Sequence, residues 1–424
     1  MSNKILGIVG IGCGARTRTY CELAALSPHR YRVVGAADPN PIRVEKVREL
    51  SRNPDFRSFA SDKELLAAGK LADVCIIGTQ DAYHVEPALR AMEVGYDLLL
   101  EKPIAVNSRE VMGLLTQAER LGRKVMVCHV LRYSPFYVKV KEIIDSGVLG
   151  DILTIDAREG VGAWHQCHSF VRGHWAVTGK ATPMIVAKSC HDMDMLSWLA
   201  SRRCERVSSF GALSHFNEAN APAGAPAYCT DGCPAGDSCP YNAMLYTNQH
   251  RRWLQWVMDG YATATDAEIV KWLTVSPFGR CVYHCDNDAV DHQVVAMEFE
   301  GHLTATFTMT GFDDGRDLII CGTKGRLRGG ESMKAQAGND IVVKTVAGDS
   351  VAYQVSTNVG GYDGHGGGDP GLVNALAGEF AKLAHEMRSG LYASLESHII
   401  GFGAEDSRLS GKTVDLAAYR AGLE

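Results

Sequence analysis

Near the amino terminus, the run Gly7-Ile8-Val9-Gly10-Ile11-Gly12-Cys13-Gly14-Ala15-Arg16 sets Gly10, Gly12 and Ala15 in a G-x-G-x-x-G/A pattern behind an apolar segment. Gly10 permits a tight turn, Gly12 lets backbone approach a pyrophosphate, and Ala15 allows a helix to pack closely. Cys13 and Gly14 lie inside that turn, where free backbone N–H groups at a helix start would meet phosphate. Arg16 is a candidate to neutralise it. Asp38 ends the second apolar segment, where a carboxylate hydrogen-bonds both hydroxyls of an adenosine ribose and repels a 2′-phosphate. These residues point to hydride chemistry on a dinucleotide, with NAD expected over NADP.

Two further groups of residues carry chemistry. Trp164-His165-Gln166-Cys167-His168-Ser169-Phe170-Val171-Arg172-Gly173-His174-Trp175 mixes aromatic rings with hydrogen-bonding groups. Rings cover the C–H faces of a polyhydroxylated ligand, and Arg172, His174 and Trp175 are the candidates to hold its hydroxyls or an anionic group. Cys229, Cys233 and Cys239 form a spaced set that fits neither a redox C-x-x-C pair nor two paired zinc-binding C-x-x-C units. With a fourth ligand, such as His215, they could hold a structural zinc; free thiols and a disulfide are the alternatives.

The elements that must position these residues follow a clear grammar. Apolar runs at Ile5–Val9, Tyr31–Ala37, Val74–Ile77, Asp97–Leu100 and Lys124–Cys128 alternate with helical patterns, including Val85–Val94 and Ser108–Leu121. Short continuous apolar strands between amphipathic helices predict a parallel sheet covered on both faces. After residue 130 the pattern changes. Helices are expected at Pro135–Ser146, Met193–Leu199, Leu372–Met387 and Leu391–Gly401, with strands at Asp151–Arg158 and from Ala267 to about Thr345. A Gly turn between Val294–Phe299 and Leu303–Phe307 predicts a hairpin. The expected architecture is α/β: a Rossmann domain over 1–130 and an α+β domain over 131–424 with a large, mainly antiparallel open sheet. An irregular Cys-rich insertion is expected at 212–245.

The chain has 424 residues, 46% of them hydrophobic and 22% charged, with 43 Lys and Arg against 49 Asp and Glu. A net charge of −6 argues against a nucleic-acid or anionic-membrane surface, since both partners need a concentrated positive field. No apolar run reaches transmembrane length, and Met1-Ser2-Asn3-Lys4 leads straight into a strand-like segment, so a cytoplasmic address is expected. Thirteen cysteines are too dilute for a disulfide scaffold; most lie in apolar context and read as buried thiols.

The glycine motif, joined to Glu101-Lys102-Pro103 after Leu98-Leu99-Leu100, resembles the Gfo/Idh/MocA oxidoreductases over essentially the whole chain. The resemblance implies an NAD-linked enzyme acting on a sugar, sugar derivative or cyclic polyol, and a homodimer or homotetramer built on the carboxyl-terminal sheet. It implies that Thr79, His84 and Glu101 border the nicotinamide and its ribose. It also implies that Lys102 meets both the nicotinamide and the substrate hydroxyl. His191, in Ala187-Lys188-Ser189-Cys190-His191-Asp192-Met193-Asp194, matches the family's acid/base histidine. An imidazole suits that work because its ordinary pKa is near neutrality. The family's preceding aspartate falls on Ala187, so Lys188 becomes a candidate for the same region. Asp194, Arg132 and Tyr133 are expected near the substrate, as is His365 of His365-Gly366-Gly367-Gly368-Asp369. Some relatives oxidise a sugar transiently, eliminate the aglycone, add water and return the hydride. An NAD-dependent glycoside hydrolase, with an anionic glycoside among its candidate substrates, is therefore the alternative. A non-catalytic NAD(H) sensor is a third reading.

Overall fold

Every side chain of Val74–Ile77 and Leu98–Leu100 is buried, the condition of a central parallel strand with helices on both faces. In the computed structural model, which describes residues 5–332, 334 and 338–423, these segments are the middle of a six-stranded sheet. Its strands are β1 (Leu6–Ile11), β2 (Tyr31–Ala37), β3 (Arg57–Phe59), β4 (Val74–Ile77), β5 (Asp97–Leu100) and β6 (Val125–Val127). They lie in the order β3-β2-β1-β4-β5-β6, with every pair parallel. The order reverses between β1 and β4, and the crevice at their carboxyl ends is where such sheets bind ligands. Residues 1–4, read above as leading directly into the fold, lie outside the described residues.

The second sheet has nine strands: β7 (Ile152–Val161), β8 (Cys204–Ala212), β9 (His292–Phe299), β10 (Leu303–Thr310), β11 (Asp314–Gly322), β12 (Gly325–Gly330), β13 (Ile341–Thr345), β14 (Ser350–Tyr353) and β15 (Val414–Asp415). Their order is β14-β13-β12-β11-β7-β10-β9-β8-β15, and only the β7–β10 pair is parallel. Strict alternation of buried and exposed residues along β9 and β10 buries one face. Helices Cys190–Ala200 and Leu391–Ser410 pack on that face, whereas Phe210, Leu153 and Val294 stand exposed on the strands. The hairpin expected around Gly301 is present, with Gly301 in the left-handed region.

Two expectations need correction. The chain does not become strand-rich at Ala267: Asp266–Leu273 is a helix, started by a capping box between Thr265 and Glu268, and strand structure resumes only at His292. The insertion therefore runs well past 245, from the end of β8 to the start of β9. It has its own apolar clusters, one around Trp164, Tyr246, Leu254, Ile269, Leu273 and Phe278, the other around Cys167, Phe216 and Tyr283. The chain also does not stay in its second layer. Helix Gly368–Ala381 returns to the first sheet, where Leu372, Val373, Leu376 and Phe380 pack with Tyr20, Cys21 and Tyr31.

Arg172 pins the insertion to the body of the protein. Its guanidinium is buried and donates to the carbonyls of Arg280 and Tyr241, both at 2.7 Å. Removing it leaves both carbonyls without that donor inside an apolar surround, at a cost of roughly 2–4 kcal/mol. Arg172→Ala is therefore expected to lower the melting temperature and to speed amide exchange in segments 238–246 and 278–285, while amides of β4 and β5 keep their protection.

Candidate active site

The turn between β1 and helix Ala15–Ala25 is shaped by what cannot fit there. Gly12 has φ +81°, and a Cβ on it would stand 2.8 Å from the Gly78 carbonyl and the Thr79 nitrogen. A Cβ on Gly10 would meet Thr17 at the same distance. The loop is thus pressed against the end of β4, with the helix amino terminus behind it. Asp38 stands beside it: one carboxylate oxygen accepts from the Cys13 N–H and the other from the Asn40 N–H, each at 2.8 Å. A carboxylate has about four acceptor positions, so two are left for ribose hydroxyls. Bare backbone, a helix start and an oriented carboxylate fit a dinucleotide. Cys13 contributes its N–H; its thiol is buried.

Arg16 does not stand free for a pyrophosphate, as expected from the sequence. It lies within a knot of charge: Nε is 3.1 Å from Glu101 Oε1, and the two terminal nitrogens reach Asp369 at 3.0 and 2.6 Å. Tyr20 donates to Glu101 at 2.6 Å, and the other Glu101 oxygen accepts from the Lys102 N–H at 3.0 Å. Glu101 therefore orients the backbone of Lys102. Burial opposes ionisation of Glu101 and Asp369, yet the adjoining Arg16, with Tyr20 and Lys102 at Glu101 and His365 at Asp369, holds both carboxyls below their usual range.

The Lys102–Pro103 peptide is cis, and two histidines hold the loop that contains it. His84 Nδ1 lies 2.7 Å from the Pro103 carbonyl oxygen, and His398 Nε2 accepts from the Ile104 N–H at 2.9 Å. The loop projects Lys102 toward the second layer, where Nζ donates to the carbonyl of Ala187 at 2.9 Å. Four residues later stands His191, 5% exposed, in the first turn of helix Cys190–Ala200. Burial, reinforced by the charges of Lys102, His365, His129 and Arg316, holds His191 well below the usual imidazole range. Burial and these cations favour its neutral form, which has one acceptor nitrogen. Its ring is 5.7 Å from that of His365, centroid to centroid, and 6.3 Å from that of His129. The structure thus brings together Lys102, His191 and His365, three of the residues singled out in the sequence.

Others it places elsewhere. Arg132 and Asp194 do not line the cleft: they form a buried bidentate pair, both bonds 2.8 Å, with His129 Nδ1 2.6 Å from the same carboxylate. Burial opposes it, but Arg132 and His129 hold the Asp194 carboxyl down at about 2. Tyr133 is buried against Ser389, 3.0 Å away. Lys188 is ion-paired at 3.0 Å with buried Glu159, which also binds Arg316, so its ammonium is held by structure. Arg172 belongs to the insertion, as described above. Trp175 donates to Asp81 at 2.7 Å and joins the second layer to the β4 loop, with the exposed His174 ring packed on it at 3.7 Å. Thr79 donates to the Tyr83 carbonyl and shapes that same loop.

Cys229, Cys233 and Cys239 face one small apolar cavity with Cys281. Among the described residues, no group of three or more His, Cys, Asp or Glu is arranged to hold a metal ion, so the expectation of a structural zinc is not supported. Arg172 lies 3.8 Å from the Cys229 sulfur, and that guanidinium opposes a second cation beside it. His215 faces Tyr283 at 3.2 Å instead of completing a ligand set.

Sequence reasoning missed His129, His398, Asp81 and the Glu159–Arg316–Asp192 group. Each lies far along the chain from its partners.

With this geometry in view, the family descriptions match both layers: "Oxidoreductase family, NAD-binding Rossmann fold" over residues 6–129 and "Oxidoreductase family, C-terminal alpha/beta domain" over 141–362. The chain belongs to the Gfo/Idh/MocA oxidoreductase family. It is 26% identical over 427 residues to "Putative oxidoreductase YteT" of Bacillus subtilis (strain 168), covering 95% of this chain and 96% of that protein. Its fold is similar to that of an oxidoreductase from Agrobacterium radiobacter solved with NAD+, L-tartaric acid and magnesium (TM-score 0.69, 14% identity, 98% of this chain and 100% of the other). It is also similar to scyllo-inositol dehydrogenase from Lactobacillus casei solved with NAD(H) and scyllo-inositol (TM-score 0.63, 16% identity, 98% and 100%). The Gfo/Idh/MocA chain thus has an NAD-binding layer and a second layer facing its crevice. Among the described residues no helix is long and apolar enough to cross a membrane.

The buried imidazoles set a pH response. Burial lowers His165, His168 and His398 to about 3. Each has a folded pKa below its unfolded value near 6.5, so the stability tied to its neutral form is complete above pH 6.5 and is lost as pH falls toward 3. Unfolding near pH 5 is expected to take up about three protons from these groups, read from the pH dependence of the unfolding free energy; His398→Asn is expected to take up about one fewer.

Proposed function

We propose that the protein is an NAD-linked dehydrogenase that oxidises a secondary hydroxyl of a sugar, sugar derivative or cyclic polyol. The observation that carries the reading is the reach of Lys102 Nζ across the crevice to within 2.9 Å of the Ala187 carbonyl, next to the buried neutral His191. An ammonium and an unprotonated imidazole on facing elements are what removal of a hydroxyl proton needs. The inositol dehydrogenase fold described above supports the substrate class.

Gly10, Gly12, Gly14 and Ala15 would hold the pyrophosphate of NAD, Asp38 its adenosine ribose, and the Thr79, His84 and Glu101 region its nicotinamide end. When bound, NAD supplies the hydride acceptor. His191 takes the hydroxyl proton as the carbonyl forms, and Lys102 stabilises charge developing on the same oxygen. Glu101 keeps Lys102 in place through its backbone N–H. The open sheet face with Phe210 and Val294 is suited to a second copy, giving a homodimer or homotetramer.

One observation favours the redox-neutral glycoside hydrolase as a second reading. The insertion reaches over the adenosine end of the crevice, where Asp259 accepts from the Asn40 side chain at 3.0 Å, next to Asp38. A contact from the insertion at that end would slow cofactor exchange, which suits an enzyme that recovers its hydride in every turnover. Incubating the purified protein with free sugars, cyclic polyols and glycosides, while following absorbance at 340 nm and released aglycone, separates the two. Net NADH identifies the dehydrogenase; aglycone release without NADH identifies the hydrolase; neither product, from folded NAD-binding protein, defeats both.

Two sets of variants test the residue roles. Lys102→Ala and His191→Ala should each lower kcat/KM by on the order of 10²–10⁴ while NAD affinity changes little. Unchanged kcat/KM in folded His191→Ala protein removes His191 as the base. NAD should bind more tightly than NADP, and Asp38→Ala should narrow the difference, measured by quenching of tryptophan fluorescence.

A further inference from the structure

A buried base has a problem on every turnover: the proton it takes must leave. His191 is 5% exposed and surrounded by positive charge, so a proton held there blocks the next cycle. Beside it, with ring centroids 5.7 Å apart and planes tilted by 51°, stands His365, whose side chain is 37% exposed.

His365 is held in an unusual way. It has φ +51°, in the left-handed region that a residue with a Cβ rarely adopts, although it is not a glycine. Gly366 and Gly367 beside it also have positive φ, so the chain places an imidazole in a stretch suited to glycine. The loop is wound tightly about Asp369: a Cβ on Gly364 would stand 2.7 Å from its carboxylate, and one on Gly367 would stand 2.4 Å from the Thr357 carbonyl. His365 Nδ1 lies 3.1 and 3.0 Å from the two Asp369 oxygens. Arg16 already neutralises that carboxylate, so His365 need not be charged to satisfy it. Donation of Nδ1–H to Asp369 leaves Nε2 as the acceptor, the arrangement by which a carboxylate fixes an imidazole tautomer.

We propose that His365, oriented by Asp369, is the proton-relay residue that carries the substrate's hydroxyl proton from His191 to solvent. The inference rests on the assignment of His191 as the base. In the oxidation, the C–H bond breaks with its electron pair leaving as hydride to NAD+, and the O–H proton passes to His191. The ring centroids stand 5.7 Å apart and the rings share no hydrogen bond, so one bridging water passes it from His191 to Nε2 of His365, and the resulting imidazolium releases it to water or buffer. The sum is alcohol plus NAD+ to carbonyl compound, NADH and one proton. The charged groups around His365 are Asp369 on its own segment, Arg16 on the first helix and Lys188 before the second-layer helix, with neutral His191 opposite. Its exchange with solvent is therefore governed by one compensated carboxylate and two cations.

Two measurements test this. In 15N-histidine-labelled protein loaded with NAD+, nitrogen shifts should show His365 protonated at Nδ1 when neutral, with Asp369→Asn mixing the tautomers. A neutral His365 protonated at Nε2 overturns the relay whether or not a substrate has been found. On the first sugar or polyol that yields NADH, His365→Ala should lower kcat by about 10-fold or more in dilute phosphate, and added imidazole should restore it in proportion to concentration. Unchanged kcat, or a loss that imidazole does not restore in folded NAD-binding protein, overturns the proposal. Should His365→Ala fail to fold, His365→Gln takes its place with the same outcomes. His191→Ala, assayed in parallel, reports separately on the base: unchanged kcat/KM there strikes the underlying assignment and not the tautomer.

Discussion

The contact on which the site depends is the pairing of Arg16 with Glu101 and Asp369. Arg16 is on the helix that opens the nucleotide-binding layer, Glu101 follows β5, and Asp369 is on the helix by which the chain returns after building eight of the second sheet's nine strands. One guanidinium therefore fixes three segments separated by much of the sequence. Two carboxylates this deeply buried are tolerated only because a cation lies between them. Through Glu101 the pairing sets the backbone of Lys102, and through Asp369 it sets the ring of His365. Apolar packing of Leu372, Val373 and Leu376 on Tyr20 and Tyr31 brings the returning helix to the first sheet, and the charged contact fixes its register.

A second constraint is the burial of the reacting groups. His191, His129 and His398 are all buried, and their neighbours include Lys102, Arg132 and Arg316. Burial, with the charges of Lys102 and Arg316, holds the His191 imidazole below its usual range, and burial does the same for His398. Asp194 is already matched by Arg132, and Glu159 by Lys188 and Arg316. The departure at Ala187 fits this pattern. An aspartate there would stand beside Lys102, whose ammonium instead bonds the backbone carbonyl of the same residue. Proton affinity at the centre is thus set chiefly by burial and by cations, with the local carboxylates engaged elsewhere.

The insertion works on a different principle. Its segments have few regular elements, so its shape comes from aromatic clusters and from Arg172 holding two carbonyls. Trp164 stacks on His250 at 3.7 Å, and Phe216 on Phe312 at 5.7 Å, tying the insertion to the strand ends that flank the crevice. Its far end meets Asn40, Arg43 and Lys46 through Asp259. The two layers are consequently joined at the crevice by charge, at its side by Trp175 and Asp81, and over its nucleotide end by the insertion.

Much of this was legible in the sequence, for a definite reason. Apolar runs such as Val74–Ile77 and Leu98–Leu100 depend only on neighbouring residues, and a buried parallel strand tolerates little else. The helices Val85–Val94 and Ser108–Leu121 were readable to their ends because Gly95 and Gly122 close them in the left-handed region. The glycine turn, Asp38 and the Glu101-Lys102-Pro103 segment were readable because each is compact in sequence and its backbone demands particular residues. The helix from Asp266 was missed although Thr265 and Glu268 form a capping box, because only eight residues follow it, too few for a 3.6-residue period to stand out. Arg16 and Arg172 were placed at the ligand by their charge, and Arg132 and Asp194 by the family resemblance. Only the tertiary structure decided otherwise, since whether a charged side chain is free depends on counter-charges and carbonyls brought from distant segments: Asp369 to Arg16, Asp194 to Arg132, Arg280 to Arg172. The sequence determined the layers, the turn and the chemical types at the crevice; long-range burial and pairing determined which of those groups remain available to react.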